Sequence, residues 1–331
     1  MPHAPDTALE RAEELADRVL PERRPKKRML VIVNPYATTV SDRLKNLVVY
    51  ALQGRYAVEA IDTQAQGHAT DLCREAAAEG YDVVVSFGGD GTLNEAANGL
   101  IGSDTPLTCL PGGATNVFCR MLGIPTDVVD ATEHLLRIAD GFEPRRIDTG
   151  IVNGRHFLFG SGIGLDASVV ERVDAHPRLK ARLGPWYFTY AAVATFNRKY
   201  LVKPVRVRVE VDDHTIDGVT VIIQNGDPFT YFRNRPIRIC AGRELDDGRL
   251  GLAVLKKATL GEIPTVIARV FSARAETVQG HRQIEGLDGI DAARVVALGD
   301  RPFPLQVDGD FIGEFDEVEY RVGPRTLSVV S

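Results

Sequence analysis

The chain has 331 residues, a formal net charge of −6 and a charged fraction of 25%. That length holds about two domains with filled cores, and the acidity argues against a nucleic-acid partner. Cys73, Cys109, Cys119 and Cys240 show no C-x-x-C spacing, which indicates neither a zinc site nor a disulfide framework and suits a reducing cytosol. No stretch approaches the roughly 20 apolar residues of a membrane span, and the N-terminus lacks a charged start followed by an apolar core. Membrane contact is therefore expected to be peripheral.

Residues 1–27 carry an amphipathic pattern (Leu9, Ala12, Leu15, Ala16, Val19) and then a polar run with Pro21 and Pro25, which reads as an extension ahead of the first domain. A strand is expected over 29–33, ended by Asn34 and Pro35, then a threonine-rich turn and a helix over 42–52. Another strand at 56–61 leads through Thr63 and Gly67 into a helix at 68–79. Residues 81–87, with Val83, Val84 and Val85, form a buried strand running into SFGGDGTLNEAAN at 86–98. A strand at 107–110 is broken by Pro111, Gly112 and Gly113 before a helix start at 114–122. Strands alternating with helices predict a parallel sheet covered by helices. Ligands collect beyond the carboxyl ends of such strands, where the loops at 34–41, 88–92 and 111–116 fall.

The second of those loops organises the chain. Gly88, Gly89 and Gly91 let main-chain N–H groups approach a ligand, and the helix that follows adds its partial positive charge, so the loop outlines a phosphate cradle. Asp90 puts a carboxylate into an anion-friendly site, as expected if a divalent cation or a reacting hydroxyl sits between it and the phosphates; a plain turn residue is the competing reading. Thr92 and Glu95 match a T-x-x-E capping box.

From about Arg145 the pattern changes to short strands and turns: 147–152, an Asn153, Gly154 turn, then 156–159, 205–211, 219–224, 236–241 and 250–255. One helical pattern at 263–271 interrupts them before strands near 294–298, 304–307, 317–322 and 326–330. Asp308 and Asp310 in VDGD share one side of a tight turn, a geometry for a general base with a helper or for metal contact, or only a hairpin turn. LDDG at 245–248 could hold a hard cation or be another turn. Residues 175–206 contain seven Lys or Arg and no Asp or Glu, with Trp186, Tyr187, Phe188 and Tyr190 among them. Such a segment suits an anionic lipid surface, or a core face with a solvated cationic side, and Arg178 or Lys180 could reach a transferred phosphate.

Four separated stretches, VNP at 33–35, GGDGTLNEAANGL at 88–100, LPGGATN at 110–116 and DTGIVNGRHFLFGSGIGLDA at 148–167, together resemble the diacylglycerol kinase catalytic family of lipid kinases. LDDGRL at 245–250 and VDGD at 307–310 extend the resemblance to roughly residues 28–330. It implies an α/β nucleotide-binding domain with a parallel sheet, as in NAD kinases and phosphofructokinases, and a mostly-β sandwich domain, with the active site between them. The implied organisation is an extension at 1–27, the ATP-binding domain at 28–145, the lipid domain at 146–322 and a strand at 323–331 returning to the first domain. ATP would meet Asn34, Thr63, Gly88, Gly89, Asp90, Gly91, Thr92, Leu93, Asn94, Glu95, Gly113, Thr115 and Asn116. Asp308 would be the general base, with Asp310 beside it and Asp90 as a further catalytic carboxylate. Asp247, with the backbone of Glu244 and Arg249, corresponds to a magnesium position.

Three departures from the family pattern stand out. Tyr36, Ala37, Thr38 and Thr39 follow the N-P pair where many members carry a small residue, glycine and a cation, which leaves Arg43, or Lys180 farther on, to meet the phosphates. The glycine–threonine pair of the third loop is Gly113 and Ala114, with Thr115 displaced by one, and its asparagine–aspartate pair is Asn116 and Val117. The function implied is transfer of the ATP γ-phosphoryl group, with Mg²⁺, to the hydroxyl of a membrane lipid such as diacylglycerol, giving phosphatidate. The enzyme would be cytoplasmic and peripheral to the inner face of the membrane, and a homodimer is compatible. A sphingoid-base or other long-chain-alcohol kinase, an NAD kinase and a non-catalytic nucleotide or lipid sensor are the alternatives.

Overall fold

The structure is a computed structural model and describes residues 26–139, 141–164, 205–240, 242–259 and 261–331. The amphipathic pattern ahead of Pro21, and Arg178, Lys180 and the basic aromatic segment up to residue 204, lie outside these residues.

Apolar, β-branched runs build the first sheet. Strands β1 (Lys27–Val33), β2 (Tyr56–Asp62), β3 (Val83–Gly88) and β4 (Leu107–Pro111) pair in parallel in the order β2-β1-β3-β4. Every residue of β3 and β4 is buried, as expected of parallel strands covered on both faces. The helices Asp42–Leu52, His68–Ala78 and Asp90–Leu100 form the crossovers, each turning a short apolar stripe such as Leu93, Ala96, Ala97 and Leu100 toward the core. The helix start expected at 114–122 is the shorter Val117–Met121. A helix without a counterpart in the sequence reading, Val128–Ile138, is capped by Asp127, whose carboxylate accepts from the Val129 and Asp130 N–H groups.

The β-rich part follows. Strands β5 (Arg145–Val152), β6 (Arg155–Phe157), β7 (Gly160–Gly164), β8 (Val207–Val211), β9 (His214–Gly218) and β10 (Thr220–Gln224) precede a small hairpin, β11 (Thr230–Phe232) and β12 (Arg235–Ile237). After β13 (Leu250–Leu255) come helices Ile263–Val270 and Ala275–Gln279, then β14 (Ile284–Ile290), β15 (Ala292–Ala297), β16 (Phe303–Val307), β17 (Asp310–Phe315) and β18 (Glu317–Val329). One sheet runs β14-β13-β10-β7-β16-β17, and against it lie β15, β8 and the first half of β18. Ile163, Val209, Val221, Leu252, Val295, Leu305 and Tyr320 fill the space between. This is a sandwich with side chains from both inner faces in one core.

A single long strand joins the two parts. The expectation of separate strands at 317–322 and 326–330 is corrected: β18 continues through Gly323 and Pro324 by a register shift against β5 between Gly323 and Leu327. Proline cannot donate to a ladder, so it is tolerated at such an irregularity. Beyond it Val329 pairs in parallel with Leu107 of β4, so the end of the chain extends the first sheet.

Candidate active site

The carboxyl ends of β1, β3 and β4 deliver three loops to one place. The Gly112 N–H donates to the Gly88 carbonyl at 2.8 Å, and the Thr39 N–H to the Gly112 carbonyl at 3.1 Å. Thr63, just past β2, joins them by donating its N–H to the Val33 carbonyl at 2.8 Å. Asn34 Nδ2 donates to Thr92 Oγ1 at 2.9 Å, and Asn34 Oδ1 accepts from the Tyr36 N–H. A Cβ at Gly112 would lie 2.9 Å from Gly88 Cα, and one at Gly113 2.8 Å from Gly89 Cα, so the second and third loops can touch only as glycine backbone. Asn116, at φ 51°, closes the third loop on itself: its Oδ1 accepts from Gly113 N–H and its Nδ2 donates to the Gly113 carbonyl, both at 2.8 Å. Thr115 is half-buried beside it.

The helix after β3 starts at Asp90 with Gly89 as its cap residue. The expected capping box is therefore not formed. Thr92 is the third helical residue, its hydroxyl accepts from Asn34, and Glu95 contributes its backbone carbonyl to Thr70 Oγ1 at 2.8 Å. The intrahelical ladder begins with the Leu93 N–H on the Gly89 carbonyl, which leaves the first N–H groups of the helix to face whatever sits in the loop.

Asp90 turns toward protein. Its carboxylate accepts from the Val117 N–H at 3.1 Å and the Phe118 N–H at 3.2 Å, thereby holding the start of the short helix after the third loop. Burial pushes its carboxyl up to about 6, against those two N–H groups, and the nearby Asp308 charge adds to the rise. In the pH range between 3.8 and about 6 the folded chain therefore binds a proton that the unfolded chain lacks. This contribution to stability is fully present below the unfolded value and is lost as pH rises through about 6. Asp90→Asn should remove up to about 1.4 kcal/mol per pH unit from the slope of unfolding free energy across that window, measured by urea titration.

Asp308 and Gly309 form the two-residue turn between β16 and β17, with φ 49° and 86°. Both central residues in the left-handed region make this the hairpin turn that an Asp-Gly pair favours. The same turn aims the Asp308 carboxylate into the junction of the two parts. Its Oδ2 accepts from Asn94 Nδ2 at 2.8 Å and the Leu158 N–H at 2.7 Å, and its Oδ1 from the Phe159 and Gly160 N–H groups at 3.0 Å each. The carboxylate is buried, and desolvation raises its pKa against those four donors. Asp310, two residues on, is half-buried and sits over the start of the glycine-loop helix, where a Cβ on Gly91 would meet its carboxylate.

The sequence reading missed how the glycine-loop helix is clamped. Asn94 and Asn98, four apart and on one face, both donate to the His156 carbonyl, at 2.9 and 3.0 Å, and Asn98 Oδ1 accepts the His156 N–H. Arg155 Nη2 donates to Asn94 Oδ1 at 2.8 Å. The spacing of the two asparagines was the available signal. Arg120, also unread, has a charge that reaches Asp90 and stacks 4.5 Å over the Tyr231 ring.

Arg43 is exposed on the Asp42–Leu52 helix, whereas Lys45 two residues on is paired with Asp62 at 2.8 Å. Asp247 offers no cation site in this arrangement. Its oxygens accept the Glu244 N–H at 3.2 Å and the Arg249 N–H at 2.9 Å, and Arg243 Nη1 lies 3.5 Å away, so donors surround the carboxylate where a metal would need carbonyls.

The family described as diacylglycerol kinase catalytic domain matches residues 28–150, and the YegS C-terminal NAD kinase beta sandwich-like domain matches residues 161–331. A diacylglycerol kinase of Bacillus subtilis is 28% identical over 298 residues, covering 87% of this chain and 91% of that protein. One of Staphylococcus saprophyticus is 27% identical over 295 residues, covering 87% and 90%. The crystal structure of a putative diacylglycerol kinase from Bacillus anthracis superposes with a TM-score of 0.73 at 25% identity, over 94% of this chain and 98% of that one. With both matches in order along one α/β and one sandwich part, the chain belongs to the diacylglycerol kinase catalytic family and is a kinase.

Proposed function

We propose that the chain transfers the γ-phosphoryl group of ATP to the free hydroxyl of diacylglycerol, giving phosphatidate, while peripheral to the inner face of the membrane. The observation that carries this reading is that the Asp308–Gly309 turn of the β-rich part reaches the glycine-loop helix, so carboxylates stand where a helix start favours phosphates. ATP lies along the loops of Asn34, Gly88 to Asn94 and Gly113 to Asn116, with its phosphates toward the helix N–H groups. The lipid oxygen attacks the γ-phosphorus, the bond to the β,γ-bridging oxygen breaks, ADP leaves, and the hydroxyl proton passes to Asp308. For that, the hydroxyl takes the place of Asn94 Nδ2 on Oδ2, and Asn94 keeps its bond to the His156 carbonyl. Burial raises the proton affinity of Asp308, which suits a base. The donors around Asp247 do not fit Mg²⁺, and no step is routed through a metal there.

One observation favours a second reading in which Asp310 is the base: its carboxylate is half-buried over Gly91, at the start of the glycine-loop helix. The proposal expects Asp310→Asn to keep kcat within about tenfold and Asp308→Asn to lose about 100-fold or more. The reverse order would transfer the role to Asp310. The reaction itself is tested by transfer from labelled ATP to mixed micelles of diacylglycerol, monoacylglycerol, sphingosine or ceramide, and to soluble NAD. Label in phosphatidate is expected. Label in another acceptor overturns the substrate, and binding of ATP without any labelled product overturns the kinase reading in favour of a sensor.

A further inference from the structure

An apolar helix whose described apolar side chains are only partly covered needs an occupant. The helix Ile263–Val270 reads IPTVIARV, yet Val266 and Val270 are only half-buried, and Ile267 is 47% exposed. Phe271, which follows it, is 37% exposed. Other helices in the structure, such as Asp90–Leu100, bury several residues of their apolar stripe. Phe271 meets the ring of Phe232 edge to face at 5.3 Å, so the helix and the β11–β12 hairpin share one apolar surface.

Cations edge this surface. Arg233, Asn234 and Arg235 are exposed at the hairpin turn directly after Phe232, and Arg274 is exposed past the helix. Glu262, the carboxylate at the helix start, is turned inward to Arg282 and His281, and Glu276 is exposed on the next helix. In a chain of net charge −6 this is a local reversal of sign. The hairpin also leads to the active site. Tyr231 lies under Arg120, and Arg120 belongs to the short helix whose first N–H groups hold Asp90.

We infer that Ile267, Phe271 and Phe232, edged by Arg233, Arg235 and Arg274, form the surface that docks on an anionic lipid bilayer. Exposed apolar side chains enter the headgroup boundary while arginines meet lipid phosphates, the combination by which amphipathic segments bind membranes. A second copy of the chain fits less well. A two-fold contact here would set Arg233, Arg235 and Arg274 of one copy against the same arginines of the other. The inference deepens the lipid-kinase reading and rests on it for the identity of the surface met, since a bilayer docked here would lie on the rim that reaches Asp90.

The test uses the full chain and vesicles of phosphatidylcholine with or without phosphatidylglycerol, sedimented without nucleotide. Wild type should bind the anionic vesicles, and Ile267→Asp with Phe271→Ser should lower the bound fraction about tenfold or more. Arg233→Gln with Arg235→Gln should weaken binding mainly at low salt. The milder Ile267→Gln, with an unchanged thermal midpoint, should show a smaller loss in the same direction. Variants that bind as wild type does would overturn the inference. So would a concentration-dependent dimer, seen by sedimentation equilibrium, that the apolar variants abolish without changing vesicle binding. Transfer to a soluble short-chain diacylglycerol should be equal in all variants. No turnover by wild type there would defeat the kinase reading while leaving the vesicle result to stand.

Discussion

Asp308→Ala should lower the free energy of unfolding by about 3 kcal/mol or more and reduce phosphate transfer to less than about one hundredth. The alanine would strand the Leu158, Phe159 and Gly160 N–H groups and remove one of the bonds of Asn94 Nδ2, all at a buried junction. Each buried donor left without a partner is worth about 1–3 kcal/mol, and the residue sits at φ 49°, where a side chain without a polar group gains nothing. Asp308→Asn keeps one oxygen but points an NH₂ group at N–H donors, so it should destabilise less while still losing turnover. Urea unfolding read beside the labelled-ATP assay separates these effects. Full activity in a folded Asp308→Asn protein would remove the base role, and an unchanged unfolding midpoint in Asp308→Ala would show that the junction does not depend on this carboxylate.

A methyl group at Gly112 should raise the KM for ATP about tenfold or more and destabilise the fold by about 1–3 kcal/mol, the usual range for overpacking. The added carbon would lie 2.9 Å from Gly88 Cα, 3.0 Å from Gly88 O and 3.0 Å from Val40 Cγ2. Two of these are backbone atoms of the glycine loop, which cannot rotate away as a flexible side-chain end can. The loops must separate, and the Gly112 N–H bond to Gly88 with them. Gly141→Ala, where a Cβ meets nothing within 4 Å, is the matched control and should change neither quantity. An ATP titration of the two variants with the same lipid micelles makes the comparison, and equal KM values would show that this contact does not shape the nucleotide site.

Local patterns were most readable where burial is two-sided and strands are bounded by turn residues. The strands now seen as β1, β3 and β4 and the helix Asp42–Leu52 were all expected from apolar runs and breakers. Strands that lack such contrast were not. β7 is Gly160–Gly164 with the sequence GSGIG, which has no alternation to read, and β14 carries two glycines and two acids. The helix Val128–Ile138 lies between proline- and glycine-marked turns, and its local signal is the cap residue Asp127. In β18, Gly323 and Pro324 look like a break, and only pairing with β5 on both sides of the irregularity carries the strand through.

The sequence by itself determined the loops at the ends of β1, β3 and β4, because glycines, a helix start and strand ends act over a few neighbouring residues. It also determined the family, through short motifs kept in order along the chain. Only the tertiary structure decided which groups those loops meet. Asp308 reaches Asn94 across a separation of 214 residues, and Asp90 accepts from the Val117 and Phe118 N–H groups. The first contact depends on how the long strand β18 and its partner β5 bring the sandwich against the α/β sheet, and the second on the side-by-side pairing of β3 with β4. Long-range placement of that kind is set by packing of whole layers, and no local spacing encodes it.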